Sequence, residues 1–281
     1  MAKYSIAIDI TRCDGCGSCF LACKDEYTGN DHLPFSVAQP DAGHKWLRLN
    51  EIEQGQNWKV KMDYIPVMCQ HCENPVCAIG EDEGTVYTRP DGIVIIDPEK
   101  AKGRKDMVAK CPYGAIFWNE ALQVPQKCTM CAHMLDNGET TVRCVESCPT
   151  QALFFGDVED PNSEISKYLA SKEGHVEAFK PEFGTKPTIK YMDLPKPFIA
   201  GEVMLEDSKE CVKGAKVTLF CKACGRTVET ETNVFGDFEF TGLKADTEYV
   251  VTASVPGYFD EEVAVKTNAA KDLGVLTLRK N

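Results

Sequence analysis

The chain has 281 residues, and 43 Asp and Glu against 31 Lys and Arg give it a net charge of −12. That length has room for about two domains, and the acidic balance argues against a nucleic-acid partner, which needs a concentrated basic face. No apolar run is long enough for a membrane-spanning helix. The amino terminus moves directly into a strand-like alternation, Ile6-Ala7-Ile8-Asp9, with no signal-peptide or twin-arginine pattern. A cytoplasmic location is therefore expected, unless a partner's signal exports the folded subunit. The run Cys13, Cys16, Cys19, Cys23 follows. An insertion from Lys24 to Pro66 comes next, with strand-like stretches over Trp46-Ile52 and Trp58-Ile65, and is expected to cover a metal centre or meet a partner. Cysteines then recur as Cys69, Cys72, Cys77, as Cys111, and as Cys128, Cys131, Cys144, Cys148.

Twelve of the 15 cysteines thus lie at iron–sulfur spacing. A cubane [4Fe–4S] cluster needs four converging thiolates. A C-x2-C-x2-C loop supplies three, and in two-cluster ferredoxins the fourth cysteine of the run ligates the other cluster. Cys111-Pro112 and Cys148-Pro149 have the Cys-Pro pair that often marks that fourth ligand. Zinc is the competing reading of Cys69-x2-Cys72 or Cys128-x2-Cys131, but zinc requires neither three-cysteine loops nor distant Cys-Pro pairs. Nothing marks the chain for an oxidising compartment, which argues against disulfides.

Two internal repeats sharpen this. Val94-Ile95-Ile96-Asp97 stands to Ala101 as Ile6-Ala7-Ile8-Asp9 stands to Cys13, which places Ala101, Arg104 and Met107 in the slots of Cys13, Cys16 and Cys19, and Cys111 in that of Cys23. Cys111-Pro112-Tyr113-Gly114-Ala115-Ile116-Phe117 parallels Cys148-Pro149-Thr150-Gln151-Ala152-Leu153-Phe154, and a third copy puts Glu81 in the cysteine slot. By the crossover rule the four lost ligands would have surrounded one cluster. Three complete sets remain: Cys13, Cys16, Cys19 with Cys148; Cys128, Cys131, Cys144 with Cys23; and Cys69, Cys72, Cys77 with Cys111. Glu81 and Arg104 carry the right charges to pair in the vacated place, the alternative being that both face solvent.

These residues resemble the iron–sulfur β subunits of molybdopterin (DMSO-reductase-type) oxidoreductases, which share four cysteine runs in a duplicated ferredoxin fold. Thr88-Arg89-Pro90-Asp91-Gly92-Ile93-Val94 and the stretch through Ala115 carry the likeness over about residues 1 to 157. Lys127-Cys128-Thr129-Met130-Cys131-Ala132-His133 and a β-rich tail are similar to the transhydroxylase type within that family. The resemblance implies a large molybdopterin-containing catalytic subunit as partner, with the molybdopterin held there and not on this chain, acting on polyhydroxylated aromatics. A related molybdenum hydroxylase, a catechol dehydroxylase and a free-standing polyferredoxin are the alternatives. This chain is then a non-catalytic, electron-transfer subunit. No Ser-His-Asp set, phosphate loop or carboxylate pair stands out.

The expected fold class is α+β: a duplicated ferredoxin-like iron–sulfur domain over 1–156 with its insertion at 24–66, a charged, Pro- and Gly-rich strap over 157–197 with one short helix near Ser163 to Lys172, and a β-sandwich over 198–281. Seven strand-like segments in the tail suggest the sandwich. Gly214-Ala215-Lys216-Val217-Thr218-Leu219 and Thr232-Asn233-Val234-Phe235-Gly236-Asp237-Phe238 look like the transthyretin-like or carboxypeptidase-regulatory-like module. Cys211, Cys221 and Cys224 are left over; Cys221-x2-Cys224 has the spacing to hold zinc or act as a redox pair, but one CxxC on a hairpin is a weak signal and inert free thiols are the expected reading. His71 and His133 are expected to donate hydrogen bonds or pack beside the cysteine loops. His32, His44 and His175 are expected in solvent, and Trp46, Trp58 and Trp118 in packing roles near the cysteines.

Overall fold

The computed structural model describes residues 2–57 and 59–281. Trp58 lies outside the described residues. The chain divides into two compact units, one built from residues up to Glu51 together with Asp63–Leu194, the other from Ile52–Met62 with Pro195–Asn281.

The first unit centres on a four-stranded sheet in the order Leu153–Asp157, Tyr4–Asp9, Lys190–Met192, Val176–Ala178. Tyr4–Asp9 runs antiparallel to Leu153–Asp157, with Ile6 opposite Phe155, and parallel to Lys190–Met192, with Ile8 opposite Tyr191. Its residues from Ser5 onward are buried on both faces, which suits a near-continuous apolar run. The helix Glu164–Ser171 starts where Ser163 Oγ accepts the Ser166 N–H at 3.2 Å, and its Ile165 packs on Ala7 and Met192. Residues 157–197, expected as a strap with one helix, supply that helix but also two strands of this sheet. Each of those strands has only three residues, too few for an alternation to register in the sequence.

Asp9 ends the first strand and directs the chain into the first cysteine loop. Its buried carboxylate accepts hydrogen bonds from Thr11, from Tyr168 Oη at 2.5 Å and from Lys172 Nζ at 3.2 Å. Burial opposes that charge, but these donors prevail and hold the carboxyl below its usual value. Two short hairpins complete the unit, Val86–Thr88 with Val94–Ile96 and Phe117–Asn119 with Val124–Gln126.

The insertion is a hairpin of Leu47–Gln56 and Lys59–Met68, whose tip belongs to the second unit. There Glu239 pairs with Lys59 at 2.9 Å and with Lys61.

Besides that hairpin tip, the described residues of the second unit form seven strands in two sheets, Asp237–Phe240, Ile199–Leu205, Lys271–Leu278 in one and Thr227–Glu231, Lys216–Cys221, Glu248–Ser254, Glu261–Lys266 in the other. Every pairing is antiparallel except Ile199–Leu205 with Lys271–Leu278. Inward residues of both sheets, among them Val203, Val217, Leu219, Phe238, Val251 and Leu278, form one core, as alternation places every second side chain inside. Among the described residues no helix is long and apolar enough to cross a membrane.

The turn Asn233–Asp237 fixes the link between the sheets. Asn233 Oδ1 accepts the N–H groups of Phe235 and Asp237 at 2.8 and 3.0 Å. Gly236 follows at φ +83, where a Cβ would stand 2.7 Å from Val203 O and 3.0 Å from Cys211 Cβ. Gly236→Ala is therefore expected to destabilise the second unit by about 1–3 kcal/mol, read as a lowered unfolding midpoint by calorimetry with iron content unchanged.

Candidate metal centres

The first cysteine loop leaves the strand through a short helical turn, Ile10–Arg12. Gly15 and Gly17 then take left-handed conformations, φ +74 and +76, and the helix Ser18–Tyr27 begins. That helix places Cys19 and Cys23 one turn apart. The structure brings Cys13, Cys16 and Cys19 to Cys148, which arrives after the helix Arg143–Glu146. Burial, with the charges of Cys13, Cys148 and Cys16 adding to it, pushes the Cys19 thiol up to about 12. Cys23 faces the other way, toward Cys128 and Cys131.

Cys144 joins Cys23, Cys128 and Cys131. Burial and then the neighbouring thiols raise Cys23 and Cys144 well above the usual value, and push Cys128 up to about 12. Cys69, Cys72, Cys77 and Cys111 line one cavity with Val76, Val94, Tyr113, Ile116 and Lys127. There burial, with the neighbouring thiols, pushes Cys77 up to about 12 and Cys72 to about 11. Neighbouring groups are close enough to act on one another: Cys19 acts on Cys23 and Cys144, and Cys69 acts on Cys128.

The loops share a local form that the sequence hides. In Cys13-Asp14-Gly15-Cys16, Cys69-Gln70-His71-Cys72 and Cys128-Thr129-Met130-Cys131 the residue before the second cysteine is left-handed, with φ +74, +41 and +51. Glycine does this freely, whereas His71 and Met130 adopt it at a cost of about 1 kcal/mol or more. Backbone donors point at sulfur in a repeated way as well. Ala115 N–H lies 3.4 Å from Cys111 Sγ, and Ala152 N–H lies 3.2 Å from Cys148 Sγ.

The donor set fits a [4Fe–4S] group. Thiols that burial and mutual repulsion keep protonated ionise readily only around a cationic core. Lys127 adds a separate indication: it is 3 % exposed, its Nζ is bound to the Val94 and Cys128 carbonyls, and no carboxylate among the described residues pairs with it. Its positive charge lowers the thiols of Cys77, Cys111 and Cys128. A buried ammonium is costly without a counter-charge, and the anionic centre it faces is made of cysteines. A lysine beside a cysteine reads as surface, so the sequence carries no sign of this.

Where the repeat loses its ligands, the space is filled. Ala101 and Met107 are fully buried and pack with Ile96 and Ile116 against Cys77 and Cys111. Glu81, its side chain 1 % exposed, pairs with Arg104 at 2.6 Å and with Lys110, while Arg104 also holds Asp106 at 3.0 Å. The Glu81–Arg104 pair is the one the repeat suggests; Lys110 is an added partner.

Two histidine expectations need correction. His44 is buried, with Nε2 2.9 Å from the Trp118 carbonyl, and His32 stacks face to face on His133 at 3.7 Å. His175 is exposed and pairs with Asp193 at 2.5 Å. His133 Nε2 and Arg143 Nε both reach Glu26, at 2.9 and 2.6 Å, and Tyr27 Oη bonds Thr129 Oγ1 at 2.8 Å. These contacts tie the first helix to the Cys128 loop. Glu26, His32 and His133 bring metal-type donor atoms within 4.8 Å of one another, but Arg143 already neutralises Glu26. His71 accepts the Val94 N–H at 3.1 Å and is held neutral, by burial first and by Lys127 second. Thr185, buried at the far end of the chain's first unit, bonds Tyr113 Oη at 2.6 Å and supports Cys72.

Two substitutions test this account. A Cβ on Gly15 would meet the Tyr64 ring at 2.6 Å, so Gly15→Ala should cost about 1–3 kcal/mol and lower bound iron per chain, measured by metal analysis. Glu81→Ala removes the buried counter-ion shared by Arg104 and Lys110 and leaves Asp106 as their remaining carboxylate, so it is expected to lower the apparent unfolding midpoint by roughly 2–4 °C, whereas an apolar triple replacement of Glu81, Arg104 and Lys110 should recover most of it.

Comparison with known proteins agrees with this chemistry. The family described as "4Fe-4S dicluster domain" matches residues 60–158, and the "Carboxypeptidase regulatory-like domain" matches 199–279. The small subunit of pyrogallol hydroxytransferase from Pelobacter acidigallici is 37% identical over 99% of this chain and 100% of its own length. One subunit of the tetrathionate reductase of Salmonella typhimurium is 32% identical over 70% of this chain and 75% of its own. One subunit of the anaerobic dimethyl sulfoxide reductase of Escherichia coli is 34% identical over 66% and 87%. Buried thiols grouped around shared space, in a chain alike over its whole length to one such subunit, place this protein among the electron-transferring iron–sulfur subunits of the DMSO-reductase-type molybdopterin oxidoreductases.

Proposed function

We propose that the chain holds three [4Fe–4S] clusters, on Cys13, Cys16, Cys19 and Cys148; on Cys23, Cys128, Cys131 and Cys144; and on Cys69, Cys72, Cys77 and Cys111. A bound cluster supplies a one-electron couple whose potential follows charge, hydrogen bonding and solvent access. The chain's own residues set those terms. Backbone N–H groups of Ala115, Ala152 and Met130 point at sulfur, burial excludes water, and Lys127 places a positive charge between the second and third quartets. The grouping of thiols into quartets is the observation that carries this reading.

The partner in this proposal is a molybdopterin catalytic subunit, as membership of the family implies, and the chemistry is hydroxyl transfer between polyhydroxylated aromatics, with pyrogallol to phloroglucinol the leading case. What supports that choice is the end-to-end likeness to the hydroxytransferase small subunit, carboxy-terminal module included. A transfer with no net redox change makes the clusters an electron reservoir. A hydroxylase or dehydroxylase partner would instead exchange electrons with an outside carrier. In the same proposal the fold of the first unit is a duplicated ferredoxin and that of the second a transthyretin-like sandwich, a reading supported by the repeated Cys-Pro segments with their matching N–H to sulfur contacts.

Purified anaerobically as the native complex, the chain should carry about twelve iron atoms beside a molybdenum-containing subunit that converts pyrogallol. Cys148→Ser should perturb the same electron paramagnetic resonance signal as Cys13→Ser, and Cys23→Ser the same one as Cys128→Ser; pairing within each sequence run would overturn the crossed assignment. Lys127→Met removes a positive charge, so it should lower the potentials of the neighbouring clusters in a redox titration.

A further inference from the structure

Three cysteines lie outside the quartets, and two of them meet in the second unit. Cys221 closes the strand Lys216–Cys221, and Cys224 lies three residues on, in the turn that leads to Thr227–Glu231. The turn is held by Gly225 N–H to the Cys221 carbonyl at 2.9 Å and Cys221 N–H to the Arg226 carbonyl at 2.8 Å. It folds Cys224 back on its predecessor, with Cys224 N–H 3.3 Å from Cys221 Sγ. The pair is asymmetric: Cys221 is 5 % exposed and sits in the sandwich core, whereas Cys224 faces solvent. Arg226 and Lys244 are the cations beside Cys224, and Lys222 is drawn aside to Glu248 at 3.6 Å.

We propose that Cys221 and Cys224 form a thiol–disulfide exchange site whose co-reactant is a small-molecule disulfide, Cys224 attacking and Cys221 resolving. Residues three apart across a tight turn satisfy the separation a disulfide needs. An exposed attacking sulfur next to a sheltered second thiol is the arrangement exchange chemistry uses. In the first step the Cys224 thiolate attacks one sulfur of the incoming disulfide. That S–S bond breaks, and the other sulfur leaves as a thiolate and takes up a proton. In the second step the Cys221 thiol gives up its proton and attacks Cys224 Sγ. The internal S–S bond forms and the second small thiol departs. Two protein thiols are thereby oxidised by two electrons, and one small disulfide is reduced to two thiols.

Cys211 provides an internal control. It is also exposed, but its thiol points at Glu202 Oε1 at 2.8 Å, and that hydrogen bond raises it. The Cys221 thiol and the Arg226 backbone N–H instead favour the charged form of Cys224 and lower it. The proposal does not depend on the cluster assignment, because neither cysteine belongs to a quartet.

The test uses the anaerobic native complex. With iodoacetamide near neutral pH, Cys224 should be alkylated about tenfold faster than Cys211, by peptide mass spectrometry, and the gap should close as pH rises and both thiols ionise. With oxidised glutathione, the peptide spanning 221 and 224 should lose two hydrogens while the cluster absorption stays unchanged. Cys221→Ser should trap a lasting glutathione adduct on Cys224. Should the buried substitution fail to fold, Cys224→Ser, on the exposed turn, should leave Cys221 unmodified. Equal alkylation rates, or two thiols still free after prolonged exposure to the disulfide in the wild-type complex, would overturn the proposal.

Discussion

Confinement of thiols is the constraint from which the rest of the first unit follows. Buried beside one another, Cys19, Cys23, Cys77, Cys128 and Cys144 hold their protons far more tightly than a free thiol does. Without a cationic core the arrangement is an electrostatic liability, and with one it is a tight chelate whose formation releases protons. Much of the surrounding polar structure serves to keep those sulfurs where they are. Asp9 anchors the entry to the first loop, the Glu26, His133 and Arg143 contacts brace the second, and Thr185 closes on the third.

The place where ligands are missing shows the same economy reversed. A cavity left by a cluster would forfeit packing on every wall. Met107, Ala101, Ile96 and Ile116 fill the apolar part, and a carboxylate between two cations fills the polar part. Buried ion pairs of this kind gain little net stability over an apolar replacement. Their effect is to bar anything else from the space beside Cys77 and Cys111.

How far the sequence could be read depended on the length scale of each signal. Cysteine spacing marked the chain as an iron–sulfur protein, and the repeat told where Glu81 and Arg104 would face each other, because both are patterns over many residues. Seven alternating segments likewise announced the sheets of the tail. Three-residue strands at Val176–Ala178 and Lys190–Met192 gave no such signal, so a chain segment that completes a sheet read as a strap. Left-handed backbone at His71 and Met130 was hidden because nothing in either residue type asks for it. Burial of Lys127 and His44 depends on what the rest of the chain folds over them, and side-chain type alone argued for the opposite.

The insertion, finally, bears on how the molecule can be divided. The chain passes between the two units at Glu51, at Met62 and again at Leu194, and the short excursion between the first two brings Lys59 and Lys61 to Glu239. A truncation beginning at Pro195 keeps all seven strands yet abandons both counter-ions of a half-buried carboxylate. The modules that sequence families delimit as separate are thus not separable at a single peptide bond, and a gene fusion or duplication that moved the tail alone would move an incomplete fold.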